Sequence, residues 1–280
     1  MRSTLKETLV LGGDLEVRRL GFGALRITGE GCKGPPEDPA AARRLLRRVV
    51  DLGINLIDTA DSYGPEVSET LIAEALHPYP EGLVIATKGG LLGPRPVDAR
   101  PERLRKCCEA SLRRLRLARI DLYQLHAPDP SVPLEDSLGA LAELQREGKV
   151  RHIGISNVSL DQLELARGLV KVVSVQNRYS LAERQYSEAV LEACEREGLA
   201  FMPWYPLVNG SLAGRGGPLE RIARAHGATP AQVALAWLLH HSPVIVPIPG
   251  TSSVEHLEEN LAAGEIALHP GEMELLGQGV

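Results

Sequence analysis

The 280-residue chain predicts an α/β fold, a closed parallel (β/α)8 barrel (TIM barrel) forming a single domain over 1–280, with a short N-terminal β-hairpin and extra C-terminal helices. Three observations carry that expectation. Eight β-prone runs alternate with longer amphipathic segments, no linker separates them, and several segments close on a glycine just before the next run.

Ahead of the first run, TLVLGGDLEVRRL alternates apolar and polar residues about Gly12-Gly13-Asp14, the pattern of a tight hairpin suited to plug a barrel floor. The runs are Leu20–Ala24, Ile54–Asp58, Val84–Lys88, Ile120–His126, Val150–Asn157, Val172–Asn177, Ala200–Trp204 and Val244–Pro249. Between them, Pro39–Leu52, Pro101–Leu117, Leu134–Glu147 and Ser187–Glu197 carry Ala, Leu, Glu and Arg at three-and-four spacing, as helices covering a sheet do. The glycines of DLGIN, REGKV and EREGLA supply the left-handed cap that returns a helix to a strand. A doubly wound open sheet competes poorly: GFGALR has two glycines with Arg26 where the third belongs, and no acidic residue closes the next strand at the expected distance.

A formal charge of -5, with both signs interspersed, gives no broad field for a nucleic-acid backbone. The arginines of Arg43–Arg48 and Arg113–Arg119 fall at helix spacing and read as solvated faces. No run of about 18 apolar residues predicts a membrane span, and Met1–Val10 lacks a secretory apolar region, so a cytoplasmic location is expected. Cys32, Cys107, Cys108 and Cys194 include no C-x-x-C pair, which favours buried thiols over a disulfide or zinc framework. His240-His241 has no partner at metal-ligand spacing, and no metal site is expected. Without a long exposed apolar seam, the chain is expected to be a monomer.

In a parallel barrel the carboxyl ends of the strands share one rim. Here six of the runs carry Asp58, Lys88, His126, Asn157, Gln176 and Trp204 at or beside their carboxyl ends. One polar strand end is ordinary; an acid, a base and an imidazole aimed at one mouth are not explained by solubility. Tyr63 lies five residues past Asp58, and a tyrosine donates protons poorly near neutrality unless a cation favours its anion. Lys88 is placed to supply the cation, Asp58 to orient it, and His126 to bond a carbonyl oxygen beside the Tyr63 hydroxyl. Such a site protonates a carbonyl, and the hydride for its carbon implies a nicotinamide cofactor.

The chain resembles the aldo-keto reductase superfamily over essentially its full length, through GINLIDTADSYG, TKGG, DLYQLHAPD, GKVRHIGISN, VQNRYS, PWYPL and PIPGTSSVEHLEEN in that order. The resemblance implies a catalytic tetrad of Asp58, Tyr63, Lys88 and His126, with Tyr63 as proton donor. It further implies that Ser156, Asn157 and Gln176 bond the nicotinamide carboxamide and that Trp204, where a tyrosine is usual, stacks on the ring. Tyr205 replaces the usual serine and, with Pro206 and Leu207, belongs to the cofactor-binding block. At the adenosine end, Gly250 and His256 stand where NADPH-specific members commonly place a lysine and an arginine; Thr251, Ser252 and Ser253 keep hydroxyl donors, and a helix entered near Ser253 offers backbone N–H groups. Glu259 and Asn260 match the pair that recognises adenine. The expected cofactor is NADPH with appreciable NADH use.

Singly, the same residues have plainer readings: His126 a structural histidine, Lys88 a buried ion pair or Schiff-base lysine, Trp204 core, Leu25 and Arg26 rim packing. Two alternatives follow. A Schiff-base aldolase using Lys88 leaves Asn157, Gln176 and Trp204 idle; a non-enzymatic cofactor-binding regulatory subunit has no use for a complete tetrad. GSLAGRGG, Gly210–Gly217, lacks the lysine and hydroxyl of a Walker motif and reads as a mobile loop over the cofactor. The segments 127–133, 208–218 and 264–280, which set specificity in the family, are short and poor in aromatics, so small or polar carbonyls are the expected substrates, pyridoxal-like aldehydes among them.

Overall fold

A computed structural model describes residues 7–91, 96–207 and 217–278. Strands β1 (Thr8–Leu11) and β2 (Leu15–Arg18) form the expected hairpin. Seven further strands pair in chain order, all parallel: β3 (Phe22–Gly23), β4 (Leu56–Asp58), β5 (Val84–Gly89), β6 (Ile120–Leu125), β7 (Val150–Ser156), β8 (Val172–Gln176) and β9 (Ala200–Phe201). Helices α1 (Pro39–Asp51), α2 (Val67–Leu76), α3 (Pro101–Leu115), α4 (Leu134–Arg146), α5 (Leu160–Leu169) and α6 (Glu188–Glu197) link β3 through β9, and α7 (Pro218–Ala225), α8 (Pro230–His241), α9 (Val254–Ala262) and α10 (Pro270–Gly277) follow.

The eighth run, 244–249, is not a regular strand, yet it closes the barrel. Phe201 N donates to Val244 O (2.9 Å) and Val246 N to Phe201 O (2.8 Å) on one side. On the other, Gly21 N and Gly23 N donate to Pro247 O (2.9 Å) and Pro249 O (3.2 Å). Pro247 and Pro249 have no N–H to return, which leaves the ladder incomplete.

Apolar burial falls into layers. Leu56, Val84, Ala86, Leu122, Met202 and Val246 pack with Leu11, Leu15 and Val17 of the hairpin, so the hairpin stoppers the barrel from below. The outer clusters join the other strand faces to helix faces, such as Leu45, Leu46 and Val49 of α1 with Ile57 and Ile85. Asp14, in the hairpin turn, holds Arg151 at 2.8 Å and His152 at 2.6 Å. Gly12 has φ +63°, and a Cβ there would lie 2.3 Å from the His152 ring, so this turn requires glycine. Where helices return to strands, Gly53, Gly148 and Gly198 all have positive φ, as their helix-ending positions demand.

One expectation is corrected. Arg43 and Arg48 pair at the surface with Glu74 and Glu258, but Arg114 turns inward, its Nε 2.7 Å from the fully buried Glu69. Glu69 also accepts from Thr87 Oγ1 at 2.6 Å, which locks α2 and α3 to β5 beside Lys88. Cys107, Cys108 and Cys194 are buried, and burial pushes each thiol up to about 12. Among the described residues no helix is long and apolar enough to cross a membrane and no cluster of His, Cys, Asp and Glu is arranged for a metal ion.

Candidate active site

The site is built where inward-facing positions reach the top of the barrel. Along β6 and its end, Leu122, Gln124 and His126 alternate on the inner face: hydrocarbon, then amide, then imidazole. Asp58 is the last residue of β4, and the chain then turns tightly, with Tyr63 N bonded to Ala60 O (3.2 Å) and Asp61 N to Lys88 O (3.2 Å). Glu66 takes a left-handed φ of 68° to start α2, whose Ser68 bonds Thr59 Oγ1 (2.8 Å) and Ala24 O (2.9 Å) and so anchors the Tyr63 turn.

The four residues expected to act together do meet. Lys88 Nζ donates to Asp58 Oδ2 (2.6 Å), to Thr59 O (2.8 Å) and to the Tyr63 hydroxyl (3.2 Å), and lies 4.9 Å from the Tyr63 ring centroid. The His126 and Tyr63 rings stand edge to face with centroids 6.0 Å apart, and Ser62 Oγ lies 3.5 Å from His126 Nδ1. If the Ser62 hydroxyl donates there, the ring hydrogen sits on Nε2.

Burial alone would discharge Lys88, but Asp58 and Tyr63 outweigh it and hold the ammonium above its ordinary range. Burial likewise raises the Tyr63 phenol; Lys88 opposes that rise without cancelling it, so the group is a neutral donor rather than a tyrosinate. Burial and the Lys88 charge push His126 down to about 3, leaving a neutral imidazole.

The expected nicotinamide end adjoins this centre. Asn157, in a left-handed conformation (φ 58°) just past β7, donates to His126 O (2.9 Å) and Ser156 Oγ (3.0 Å), and its Oδ1 accepts from Trp204 Nε1 (3.0 Å). Ser156 Oγ donates to Gln176 O (2.7 Å). Gln176 Nε2 donates to Asp58 Oδ1 at 2.9 Å, so its amide also supports the tetrad. Trp204 is half-buried, Pro206 is buried, and Leu207 packs against the main core. Tyr205 holds φ 67°, a strained conformation for a bulky residue, with Arg178 4.7 Å from its ring and 5.7 Å from that of Trp204.

The expected adenosine end is pressed against the first barrel strand. A Cβ on Gly250 would come within 2.7 Å of Gly23 O and 3.5 Å of Arg26 Cγ, which keeps residue 250 bare and its position exposed. Ser253 caps α9, accepting from His256 N (3.3 Å), and Thr251 Oγ1 accepts from Ser253 N (3.0 Å), so both hydroxyls are partly committed within the loop. Ser252, His256 and Glu259 are exposed and Asn260 is buried. A half-exposed indole fixed by Asn157, a bare backbone at Gly250 and exposed Ser252 and His256 are the groups a dinucleotide uses for its ring, its approach and its phosphate, and the residues present fit one. The glycine-rich segment 210–217 lies largely outside the described residues, which resume at 217.

Sequence reasoning missed Gln124, fully buried, whose Nε2 lies 3.2 Å from Asp58 Oδ1, and Arg178, which braces the indole. Gln124 shared the inward face with His126, and that alternation was the available signal.

The model of the Aldo/keto reductase family matches residues 19–278. The chain is 49% identical over 260 residues to an uncharacterized oxidoreductase of Schizosaccharomyces pombe, across 91% of this chain and 84% of that one. It is 43% identical over 269 residues to pyridoxine 4-dehydrogenase of Escherichia coli, across 91% and 92%. An aldo-keto reductase from Klebsiella pneumoniae in complex with NADPH matches with a TM-score of 0.84 and 28% identity, covering 98% of this chain and 95% of that one.

Proposed function

The chain belongs to the aldo/keto reductase family of oxidoreductases, and from that premise we propose that it reduces an aldehyde or ketone to an alcohol with NADPH, Tyr63 giving the proton. The observation that carries this reading is the single ammonium, Lys88, bonded at once to the carboxylate of Asp58 and the hydroxyl of Tyr63. A substrate oxygen beside Tyr63 develops negative charge as its carbon is reduced. Lys88 stabilises the phenolate left by proton transfer, and neutral His126 donates a hydrogen bond to the same oxygen without competing as an acid. The nicotinamide, when bound, supplies the hydride.

Trp204, held by Asn157, serves as the ring platform, with Ser156 and Asn157 facing the carboxamide and Gln176 divided between that role and Asp58. Tyr205, Pro206 and Leu207 line the pyrophosphate, and Gly250, Thr251, Ser252, His256, Glu259 and Asn260 hold the adenosine end. Without a lysine at 250, phosphate preference weakens, so NADPH is favoured with appreciable NADH use. The E. coli relative's name and the short loops support small polar carbonyls, pyridoxal-like aldehydes first among them. The Schiff-base reading is disfavoured because an aldolase lysine must be neutral, whereas Asp58 keeps Lys88 charged.

Tyr63→Phe tests the assignment. Carbonyl-dependent oxidation of NADPH is expected to fall by about 10² to 10⁴, while quenching of tryptophan fluorescence by NADPH and NADH reports nearly unchanged cofactor affinity. A variant of normal rate would refute the proton donor.

A further inference from the structure

Beneath the ion pair lies a residue, Gln124, to which neither the tetrad nor the cofactor site gives a role. Asp58 on β4, Gln124 on β6 and Gln176 on β8 come from alternate strands, so they form one layer of the barrel interior, the level at which such barrels normally stack branched hydrocarbon. Both amides donate to the same oxygen, Asp58 Oδ1, at 3.2 Å from Gln124 and 2.9 Å from Gln176, while Oδ2 takes Lys88 at 2.6 Å. Intervening strand β7 is bare at this level. A Cβ on Gly154 would fall 2.8 Å from Gln124 Cγ and 2.4 Å from Ser174 Oγ, so a side chain there would displace the amide.

Gln124 is fully buried and its Oε1 has no hydrogen-bond partner among the described residues. A buried amide oxygen left unpaired is a cost that leucine, which fills the inward position two residues earlier, would not carry. Packing therefore does not explain a glutamine at 124. Its bond to Asp58 does.

We propose that Gln124 is a positioning residue for proton transfer: its amide occupies Asp58 Oδ1 and holds the carboxylate turned toward Lys88, so that Lys88 stays charged beneath Tyr63. The proposal rests on the carbonyl-reductase reading for its rate consequence, but not for its electrostatic one. Losing an amide donor leaves the Asp58 charge less dispersed and its carboxylate free to turn from Lys88; both disfavour the Tyr63 anion, and the phenol becomes a weaker acid. The other titratable groups facing Tyr63 are His126 and Cys32, and the substitutions below touch neither.

The experiment pairs two variants. In Gln124→Leu, the Tyr63 ring-carbon resonance of protein carrying [13C]tyrosine, assigned by its loss in Tyr63→Phe, is followed through alkaline titration without cofactor. Its midpoint is expected to rise by about half a unit or more. Turnover is expected to fall about tenfold with the Michaelis constant for NADPH unchanged, and the basic limb of the reduction rate to move to higher pH. In Gln124→Glu, a protonated carboxyl still donates to Asp58, so the rate at pH 6 stays well above that of the leucine variant and falls once the new acid ionises. A leucine variant with wild-type Tyr63 titration and wild-type pH profile would overturn the proposal. Should that variant not fold, a glutamate variant whose rate and Tyr63 titration show no added pH dependence would do the same. Absence of carbonyl turnover in the unmodified protein would sink the function reading alone, since the tyrosine titration decides the role of Gln124 without it.

Discussion

Asp58, at the end of β4, and Asp61, three residues on in the following turn, are buried to 1% and 7% exposure and meet opposite surroundings. Asp58 has a full set of partners: Lys88 on one oxygen, two glutamine amides on the other. Asp61 has an oxygen, Oδ1, with no hydrogen-bond partner among the described residues, and burial pushes its carboxyl up to about 6. Cys107, Arg114 and Arg103 oppose that shift but do not cancel it, and Arg114 is already paired with Glu69 and Glu66. Depth is thus nearly equal for the two acids. The neighbours brought by other strands decide which one is a tool and which one a burden.

The comparison breaks most sharply at Asp58. Asp58→Asn leaves Lys88 buried without its anion, and breaking a buried pair on one side destabilises by about 3–5 kcal/mol. Without a firmly charged ammonium the Tyr63 phenol is a poorer acid, so carbonyl reduction is expected to drop about 10²-fold or more. Urea unfolding and steady-state rates measured on the same preparation check both. Wild-type values in either would mean that the pair is not what sets stability or proton transfer.

Asp61→Asn is expected to act with the other sign. The folded-state pKa of about 6 lies above the unfolded value of 3.8, so the folded protein binds more protons between those limits and loses stability as pH rises through them. Above pH 6 the full penalty is present, up to about 3 kcal/mol for a shift of this size. The asparagine variant should therefore unfold at higher urea than the parent at pH 8 and at similar urea near pH 3.5, with turnover close to that of the parent. A variant less stable at pH 8 would show that the ionised Asp61 has found a partner after all.

Seen from the sequence, the two aspartates differ only in place: Asp58 ends an apolar run and Asp61 lies three residues on, in the turn that follows. What singled out Asp58 was its place at the end of a strand in a barrel, and the rim logic carried equally to Lys88 and His126 because strand period and barrel closure fix where those ends go. Gln124 escaped because it lies between Tyr123 and Leu125 in a run that reads as apolar, and its partner Asp58 is 66 residues away. The bond from Gln176 to Asp58 is equally hidden from local pattern, because it spans 118 residues. Arg114 was taken for a solvated face because helix spacing shows where a charge points only relative to its own helix, not to Glu69 on the next one. The closing segment 244–249 read as an ordinary strand, and its two prolines, visible in the sequence, are what deny it a regular ladder.

A third aspartate sharpens the contrast from the opposite side. Asp14 is well partnered, by Arg151 and His152, but it lies in the exposed hairpin turn at the floor of the barrel, far in the fold from the rim. Its hydrogen bonds to Arg151 and His152 hold the carboxyl below its ordinary range, so its contribution is present above the unfolded value of 3.8 and is lost as pH falls through the lower folded one. Water and salt screen a pair of this kind, which makes its worth small. Asp14→Asn should leave turnover unchanged and lower the melting temperature slightly at pH 7 in dilute buffer. That difference should shrink in 1 M salt and disappear when the scan is repeated below about pH 3. A loss as large as that of Asp58→Asn, or one indifferent to salt, would mean that the hairpin plug depends on Asp14 for its packing against the barrel, and that partnership without burial carries more weight than the other two aspartates imply.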